Sequence, residues 1–326
     1  MKIKALALIS GGLDSLLAAK LIFDQGCDVV GVHFKTPFCK IDIQKSFPKI
    51  GIKIIEADLS QEFLTLLQSP RYGFGSNMNP CIDCKILMLL KTKAMLPGLG
   101  ARFIVTGEVL GQRPMSQNKQ ALKLIMQSSG LEDLLLRPLS AQFFPPSLAE
   151  REGWVKREQL LSFSGRLRTP QMRLAKTLGF NVYATPAGGC LLTDPGFSRR
   201  LAELIAHREL RLENLELLKI GRHFRLSPQV KLIVGRDERE NKRLSALAVS
   251  GDYLFSPQED LAGPTCLARG PMNQELIGLS LRIAASYTDA PALKKIRVLF
   301  RKLPQAKDHR LEVICPAKKE FTHLLI

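Results

Sequence analysis

The chain has 326 residues, which at ~100–200 residues per domain suggests two domains. Its 45% hydrophobic and 24% charged content is that of a folded globular protein, not a disordered one. No apolar run approaches the ~18 residues needed to cross a bilayer, so no membrane partner is expected. Lys and Arg number 47 against 30 Asp and Glu, a net charge of +17, and a soluble chain so basic ordinarily meets a polyanion.

The excess is shared. Residues 196–326 hold 23 basic and 15 acidic side chains, net +8, which leaves +9 for residues 1–195. No block of like charge exists, so any nucleic-acid surface has to be assembled by folding. Met1–Ile9 is charged and then apolar, but Ser10-Gly11-Gly12-Leu13-Asp14-Ser15 interrupts that run early and no cleavage-like site follows. A cytoplasmic location is therefore expected.

In chain order, Lys4–Ile9 reads as a buried strand stopped by Ser-Gly-Gly, and Leu13–Phe23 as a helix ending at Gly26. Asp28–Phe34 and Ile52–Ala57 are the next strands, the latter after the Pro48/Gly51 break. Phe63–Leu67 and Ile82–Met95 are helical, Phe103–Thr106 is a fourth strand and Leu134–Leu136 a fifth. Short apolar strands alternating with helices predict an α/β domain, a parallel sheet covered on both faces, over residues 1–195. Asp194-Pro195-Gly196 is a turn signal. Beyond it, a charged helical stretch at Ser198–Glu216 precedes short strands and the helices Asp237–Ala248 and Asn273–Tyr287, which predicts a smaller α+β domain over residues 196–326.

The Ser10–Ser15 loop joins the first strand to the first helix. Its glycines let the backbone turn tightly against a ligand, and the amides and dipole of the helix favour an anion there. Walker and Rossmann spacings are absent. Ser-Gly-Gly-x-Asp-Ser after an N-terminal strand resembles the PP-loop of the N-type ATP pyrophosphatases, adenine nucleotide α-hydrolases by fold. The resemblance implies that Ser10, Gly11, Gly12, Asp14 and Ser15 hold ATP with Mg²⁺, and that His33 and Phe34 flank the adenine. Thr106-Gly107-Glu108-Val109-Leu110-Gly111-Gln112-Arg113-Pro114-Met115-Ser116-Gln117 and Leu136-Arg137-Pro138-Leu139 resemble segments of tRNA 4-thiouridine synthetases. By that resemblance Gly107 admits the nucleotide close to the backbone, while Gln112, Arg113 and Ser116 meet phosphate or the target nucleotide. The pattern departs from those synthetases in that neither a THUMP-type stretch before the loop nor a rhodanese stretch after it is read here.

Seven cysteines, Cys27, Cys39, Cys81, Cys84, Cys190, Cys266 and Cys315, argue against a disulfide framework in a reducing compartment. Cys81-Ile82-Asp83-Cys84 opens a helix, a position that lowers thiol pKa. Cys190 follows Gly188-Gly189, which leaves room for a bulky sulfur or metal group, whereas Cys27 reads as core filler. Two thiolates and a distant third on a PP-loop scaffold resemble the iron–sulfur-dependent tRNA thiolases, in which three cysteines hold a [4Fe–4S] cluster with one iron open. Cys81, Cys84 and Cys190 are thus the expected metal ligands. A persulfide relay and a zinc site with a fourth ligand are the alternatives, and Cys39 is a spare candidate for each.

In the second half, Gly221-Arg222-His223-Phe224-Arg225, Val234-Gly235-Arg236-Asp237, Gly251-Asp252-Tyr253-Leu254-Phe255 and Gly263-Pro264-Thr265-Cys266 resemble an NFACT-type RNA-binding domain. Arg222, Arg225, Arg236, Arg239 and Arg243 are expected to meet phosphates, and Phe224 and Tyr253 to stack on unpaired bases. The combined expectation is an ATP-dependent tRNA sulfurtransferase, with Cys190, Cys81, Cys84 and Asp14 in the chemistry and sulfide or a cysteine desulfurase as sulfur donor. A PP-loop amidotransferase or ligase acting on a small molecule, and a non-catalytic ATP-binding RNA adaptor, are the rivals. All of this requires the anion loop and the three sulfurs to share one cavity at the rim of the sheet.

Overall fold

Lys4–Leu8 forms strand β1, with Ala5–Leu8 buried, as an unbroken apolar run in a central parallel strand requires. It pairs in parallel with β2 (Asp28–Lys35), Leu6 opposite Val30, and with β4 (Phe103–Val105), Leu6 opposite Ile104. Strands β3 (Lys53–Asp58) and β5 (Leu135–Leu136) complete a five-stranded sheet of order β3-β2-β1-β4-β5. The computed structural model describes residues 2–39, 43, 50–180, 189–258, 260–305 and 307–326. Gly188 and Pro48, both used in the sequence reading, lie outside the described residues.

Side-chain alternation along β1 decides which helix lies on which face. Ala5 and Ala7 pack with Leu13, Leu17 and Ile22 of α1 (Leu13–Asp24) and Ala175 of a helix near the end of this unit. Leu6 and Leu8 turn the other way, to Leu89 and Leu96 of the long helix Cys81–Leu99 and Ile125 of the helix Lys119–Ser128. In chain order after α1, the further helices of eight residues or more among the described residues of this unit are α2 (Ser60–Gln68), α3 (Cys81–Leu99), α4 (Lys119–Ser128) and α5 (Thr169–Thr177). The sheet is thus covered on both faces. Strand order reverses between β1 and β4, and in open α/β sheets that crevice beyond the carboxyl ends is where ligands bind.

The chain divides into two units, Met1–Asp194 and Pro195–Ile326. The second opens with α6 (Pro195–Ala206) and α7 (Leu212–Leu217), two helices where the sequence suggests one. The break falls at Arg208, whose φ of 58° is outside the right-handed helical region. Six antiparallel strands follow in the order β11-β10-β8-β9-β7-β6. They are β6 (Arg222–Ser227), β7 (Val230–Val234), β8 (Tyr253–Pro257), β9 (Cys266–Arg269), β10 (Lys295–Lys302) and β11 (His309–Ile314). One face carries Phe224, Leu232, Phe255 and Val298 against α9 (Gln274–Ser286). The other buries Ile233, Leu254 and Leu267 against Leu217 of α7 and Leu244 of α8 (Glu238–Leu247). Among the described residues, no helix is long and apolar enough to cross a membrane.

Candidate functional site

The loop after β1 turns at Gly11, whose φ of 78° falls where an L side chain is strained. Its serines hold the loop itself together. Ser15 Oγ donates to the Gly12 carbonyl at 2.8 Å, the Ser10 amide donates to Ser15 Oγ at 3.2 Å, and the Gly12 amide reaches Ser10 Oγ at 3.3 Å. Ser15 is therefore committed to the turn instead of being a free donor. No side chain caps α1 at Gly12, so the positive end of its dipole is left for a ligand.

The loop after β4 packs directly on this turn. A Cβ placed on Gly107 would lie 2.5 Å from the Asp14 carbonyl and the Ser15 amide, so it is the backbone of α1 that Gly107 admits. Gln112 is buried and also differs from expectation. Its Nε2 donates to Asp14 Oδ2 at 2.7 Å and its Oε1 accepts from Gln171 at 3.1 Å, so it positions Asp14 and does not line the cavity. Arg168 stands 3.9 Å from the same Asp14 oxygen. Asp14 Oδ1 is buried without a hydrogen-bond partner, which fits a divalent cation carried by a nucleotide's phosphates. Beneath lies a buried ion pair, Arg137 Nε to Glu108 Oε2 at 3.0 Å, braced by Thr106 Oγ1 and the Leu122 carbonyl. Burial disfavours the Glu108 charge, but Arg137 and then Lys85 outweigh it and hold its pKa below the ordinary value.

These loops wall a cavity of about 270 Å³ that also receives four cysteines. Cys81 and Cys84 enter from the first turn of α3, and Cys190 enters beside Cys39, its antiparallel bridge partner. Ser10, Gly12, Asp14, Ser15, His33, Phe34, Gly107, Arg113 and Ser116 line the same space. The anion loop and the three sulfurs do share one cavity.

The helix start does not make Cys84 a ready thiolate. Burial pushes its thiol up to about 12, with Cys190 and Cys81 adding and Lys85 opposing. Burial likewise pushes Cys190 up to about 11, against a backbone hydrogen bond at Leu192. Desolvation thus outweighs the helix dipole. Asn79 Nδ2 donates to Cys81 Sγ at 3.1 Å. His33 Nδ1 donates to the Ile9 carbonyl at 2.8 Å. Burial works against charging that ring, but hydrogen bonds to Cys39 and Ile9 prevail and hold its pKa above the usual value. Asn79, Lys85, Arg168 and the His33–Cys39 contact carried no sequence signal, since tertiary packing alone brings them to the cavity.

Residues 1–142 match the family described as Thiamine biosynthesis protein (ThiI), and residues 221–324 match the NFACT protein RNA binding domain. The first unit carries a ThiI-type PP-loop domain. A probable tRNA sulfurtransferase of Methanothermobacter thermautotrophicus is 30% identical over 196 residues, covering 57% of this chain and 43% of the relative. A tRNA-specific 2-thiouridylase MnmA of Marinobacter nauticus is 27% identical over 236 residues, covering 66% and 57%. A 4-thiouridine synthetase–RNA complex with bound ATP aligns at 18% identity and a TM-score of 0.35, over 66% of this chain and 52% of that one. The chain spans about half the length of the curated relatives it matches.

The cysteines of the ThiI-type domain can be tested against a metal group. Among the described residues, no three His, Cys, Asp or Glu side chains converge on a single ion, as a closed zinc site needs. An iron–sulfur cluster takes thiolates on separate irons, so three thiols spread around one cavity suit it better. Thiols raised by burial and by one another gain most from a cationic partner that displaces their protons.

In the NFACT-type domain the predicted RNA contacts separate. Phe224 is 1% exposed and belongs to the core, so it cannot stack on a base. Arg225 is held by Glu203 at 2.5 Å and by both oxygens of Glu209 at 2.9 and 3.0 Å, which removes it from the phosphate-binding set. Arg236 pairs with Glu240 while remaining half-exposed, Arg243 lies 3.8 Å from Glu216, and Arg222 sits 4.8 Å over the Tyr287 ring. Tyr253 is half-buried under Lys302. Arg239 is exposed.

Proposed function

We propose that this protein is an ATP-dependent tRNA sulfurtransferase that thiolates a uridine. The observation that carries the reading is the single cavity shared by the Ser10–Ser15 turn and the thiols of Cys81, Cys84 and Cys190. A nucleotide loop alone would serve a ligase using ammonia equally well, and the cysteines favour sulfur.

The uncapped start of α1 and those amides of the turn not already held by Ser10 and Ser15 receive the phosphates, with Arg113 and Arg168 on the cavity wall opposing their charge. Asp14, fixed by Gln112, offers its free oxygen to the accompanying Mg²⁺. A uridine carbonyl oxygen attacks the α-phosphorus of ATP, the bond to pyrophosphate breaks, and the base is left adenylated. Sulfur then bonds to the same carbon as the carbon–oxygen bond breaks and AMP departs. Cys81, Cys84 and Cys190 would hold a [4Fe–4S] cluster, which when bound supplies an iron free to present sulfide. If Cys190 instead carries a persulfide, a neighbouring thiol closes a disulfide as the thionucleoside leaves, and a thiol reductant must restore both cysteines. Glu108, Arg137 and Thr106 keep the floor rigid. The exposed arginines of the second unit contact the tRNA, whose sulfur comes from sulfide or a cysteine desulfurase.

The test is mass spectrometry of tRNA nucleosides from cells lacking the gene and from cells complemented with Cys190→Ala. One thionucleoside should disappear in both. Its persistence in the Cys190→Ala strain would refute the sulfur role, and a full thionucleoside complement in the deletion strain would refute the reading as a whole.

A further inference from the structure

The second unit contains a cavity of about 700 Å³ that none of the chemistry above uses. Register explains what lines it. His223 faces Ile233 and Arg225 faces Lys231 across β6 and β7, and Lys231 faces Arg269 across β7 and β9, so these side chains share one side of the sheet. Helices α6 and α7 with their connecting turn supply the remaining wall through Leu204, Arg208, Arg211 and Leu217.

The charges of this wall fall into two tiers. The inner cations are already neutralised, Lys231 by Glu203 at 2.7 Å and Arg269 by Asp252 at 2.6 Å, while Arg225, which does not line the cavity, holds Glu203 and the wall residue Glu209. Arg208 and Arg211 are exposed, with Glu213 beside them and Glu209, also on the wall, already paired with Arg225. The inner part suits an uncharged polar group, and the outer part an anion.

His223 sharpens the choice. It is 1% exposed, and its Nε2 donates to the Ile220 carbonyl at 2.8 Å. Burial, reinforced by Lys231 and Arg200, keeps the ring neutral. With its proton on Nε2, Nδ1 is a bare lone pair, and it is buried without a partner. Its complement is a hydrogen-bond donor. An acidic side chain carries a negative charge and no donor, whereas a nucleotide carries a phosphate together with N–H and O–H groups on base and ribose. A volume of this size lies within the ~300–1,000 Å³ range of small-ligand pockets.

We propose that this cavity takes one unpaired nucleotide of an RNA strand, its phosphate on Arg208 and Arg211 and a donor group of its base or ribose on Nδ1 of His223. The proposal rests on the reading that the second unit contacts RNA and adds where a base is held.

The test uses the full chain, a short single-stranded RNA, a blunt RNA duplex and free AMP. Gln229 lies exposed on the cavity wall, so Gln229→Trp obstructs the space without entering the core. Gln229→Trp and the double variant Arg208→Ala/Arg211→Ala should each weaken single-stranded RNA binding about tenfold, a loss of about 1.4 kcal/mol, and Gln229→Trp should leave duplex binding unchanged. Nitrogen NMR of protein labelled at its five histidines should show the His223 Nδ1 resonance moving with single-stranded RNA. If both variants bind single strands normally and that resonance stays still, the pocket is refuted while RNA binding by the unit stands. A resonance that moves with AMP and not with RNA refutes an RNA nucleotide as occupant. If the unaltered chain binds neither RNA, the reading beneath the proposal fails and takes the proposal with it.

Discussion

The two cavities are built from opposite materials. In the first unit a glycine turn, an uncapped helix and thiols that burial keeps protonated make up much of the wall, with Arg113 and Arg168 beside them. A buried charge pair, Glu108 with Arg137, lies beneath the site and holds the loop that Gly107 presses against Asp14. In the second unit the walls are charged side chains that mostly neutralise one another, with spare cations only at the edge. On the proposed function, the first arrangement presents dipoles to a polyphosphate and sets the thiols beside it. The second gives a balanced interior and a positive rim. Net positive charge shared by both halves therefore serves different ends, and a basic residue's exposure and partners decide its role more than its presence does.

Removing the first unit's buried cation should break this contrast most severely. Arg137→Leu leaves Glu108 charged in the core without its partner, a loss of about 3–5 kcal/mol. The single tryptophan, Trp154, lies 6.2 Å from Phe103 in this unit, so its fluorescence during urea unfolding reads the first unit alone. An unchanged midpoint would show that the pair does not support the loop. Because the folded Glu108 pKa is depressed, its contribution is complete above the unfolded carboxylate value and is lost as pH falls through the folded one. The unaltered protein should therefore lose stability relative to Arg137→Leu as the pH is taken below about 4.

Gly107→Ala should have the next largest effect. The added methyl meets the backbone of Asp14 and Ser15, and such overpacking costs about 1–3 kcal/mol. The turn must move, so ATP affinity measured by calorimetry should fall with it. Undiminished ATP binding in a stably folded Gly107→Ala protein would mean that the Ser10–Ser15 turn is not the phosphate cradle.

The parallel sheet of the first unit was legible because its strands are short, apolar and bounded by glycine, and the loop was legible because Ser-Gly-Gly-x-Asp-Ser is compact in sequence. What escaped was the division of labour among neighbouring residues. Gln112 and Arg113 are adjacent, yet one is turned to Asp14 and the other to the cavity. Cys84 sits at a helix start that favours a thiolate, but tertiary burial outweighs the dipole. In the second unit Phe224 and Arg225 look like RNA contacts in a string of letters. Strand alternation sends the first into one core and the second to glutamates on α6 and in the turn after it. Glu203 and Glu209 precede Arg225 by 22 and 16 residues, too far for local pattern to pair them.

That pairing gives the finest test of the comparison. Arg225→Ala removes the counter-charge of two partly buried glutamates and leaves Glu203 with Lys231, whose own pKa is lowered by burial. Its effect should be on the stability of the second unit, read by far-ultraviolet circular dichroism. Arg239 is exposed, so Arg239→Ala should leave stability within about 0.5 kcal/mol. If Arg239 meets a phosphate, the slope of log binding constant against log salt for tRNA should fall by about 1 in Arg239→Ala. In Arg225→Ala the slope should hold wherever the unit remains folded, because that guanidinium is already occupied by carboxylates. A salt slope that drops for Arg225→Ala and not for Arg239→Ala would reverse the assignment, and would mean that the glutamate network opens when RNA binds.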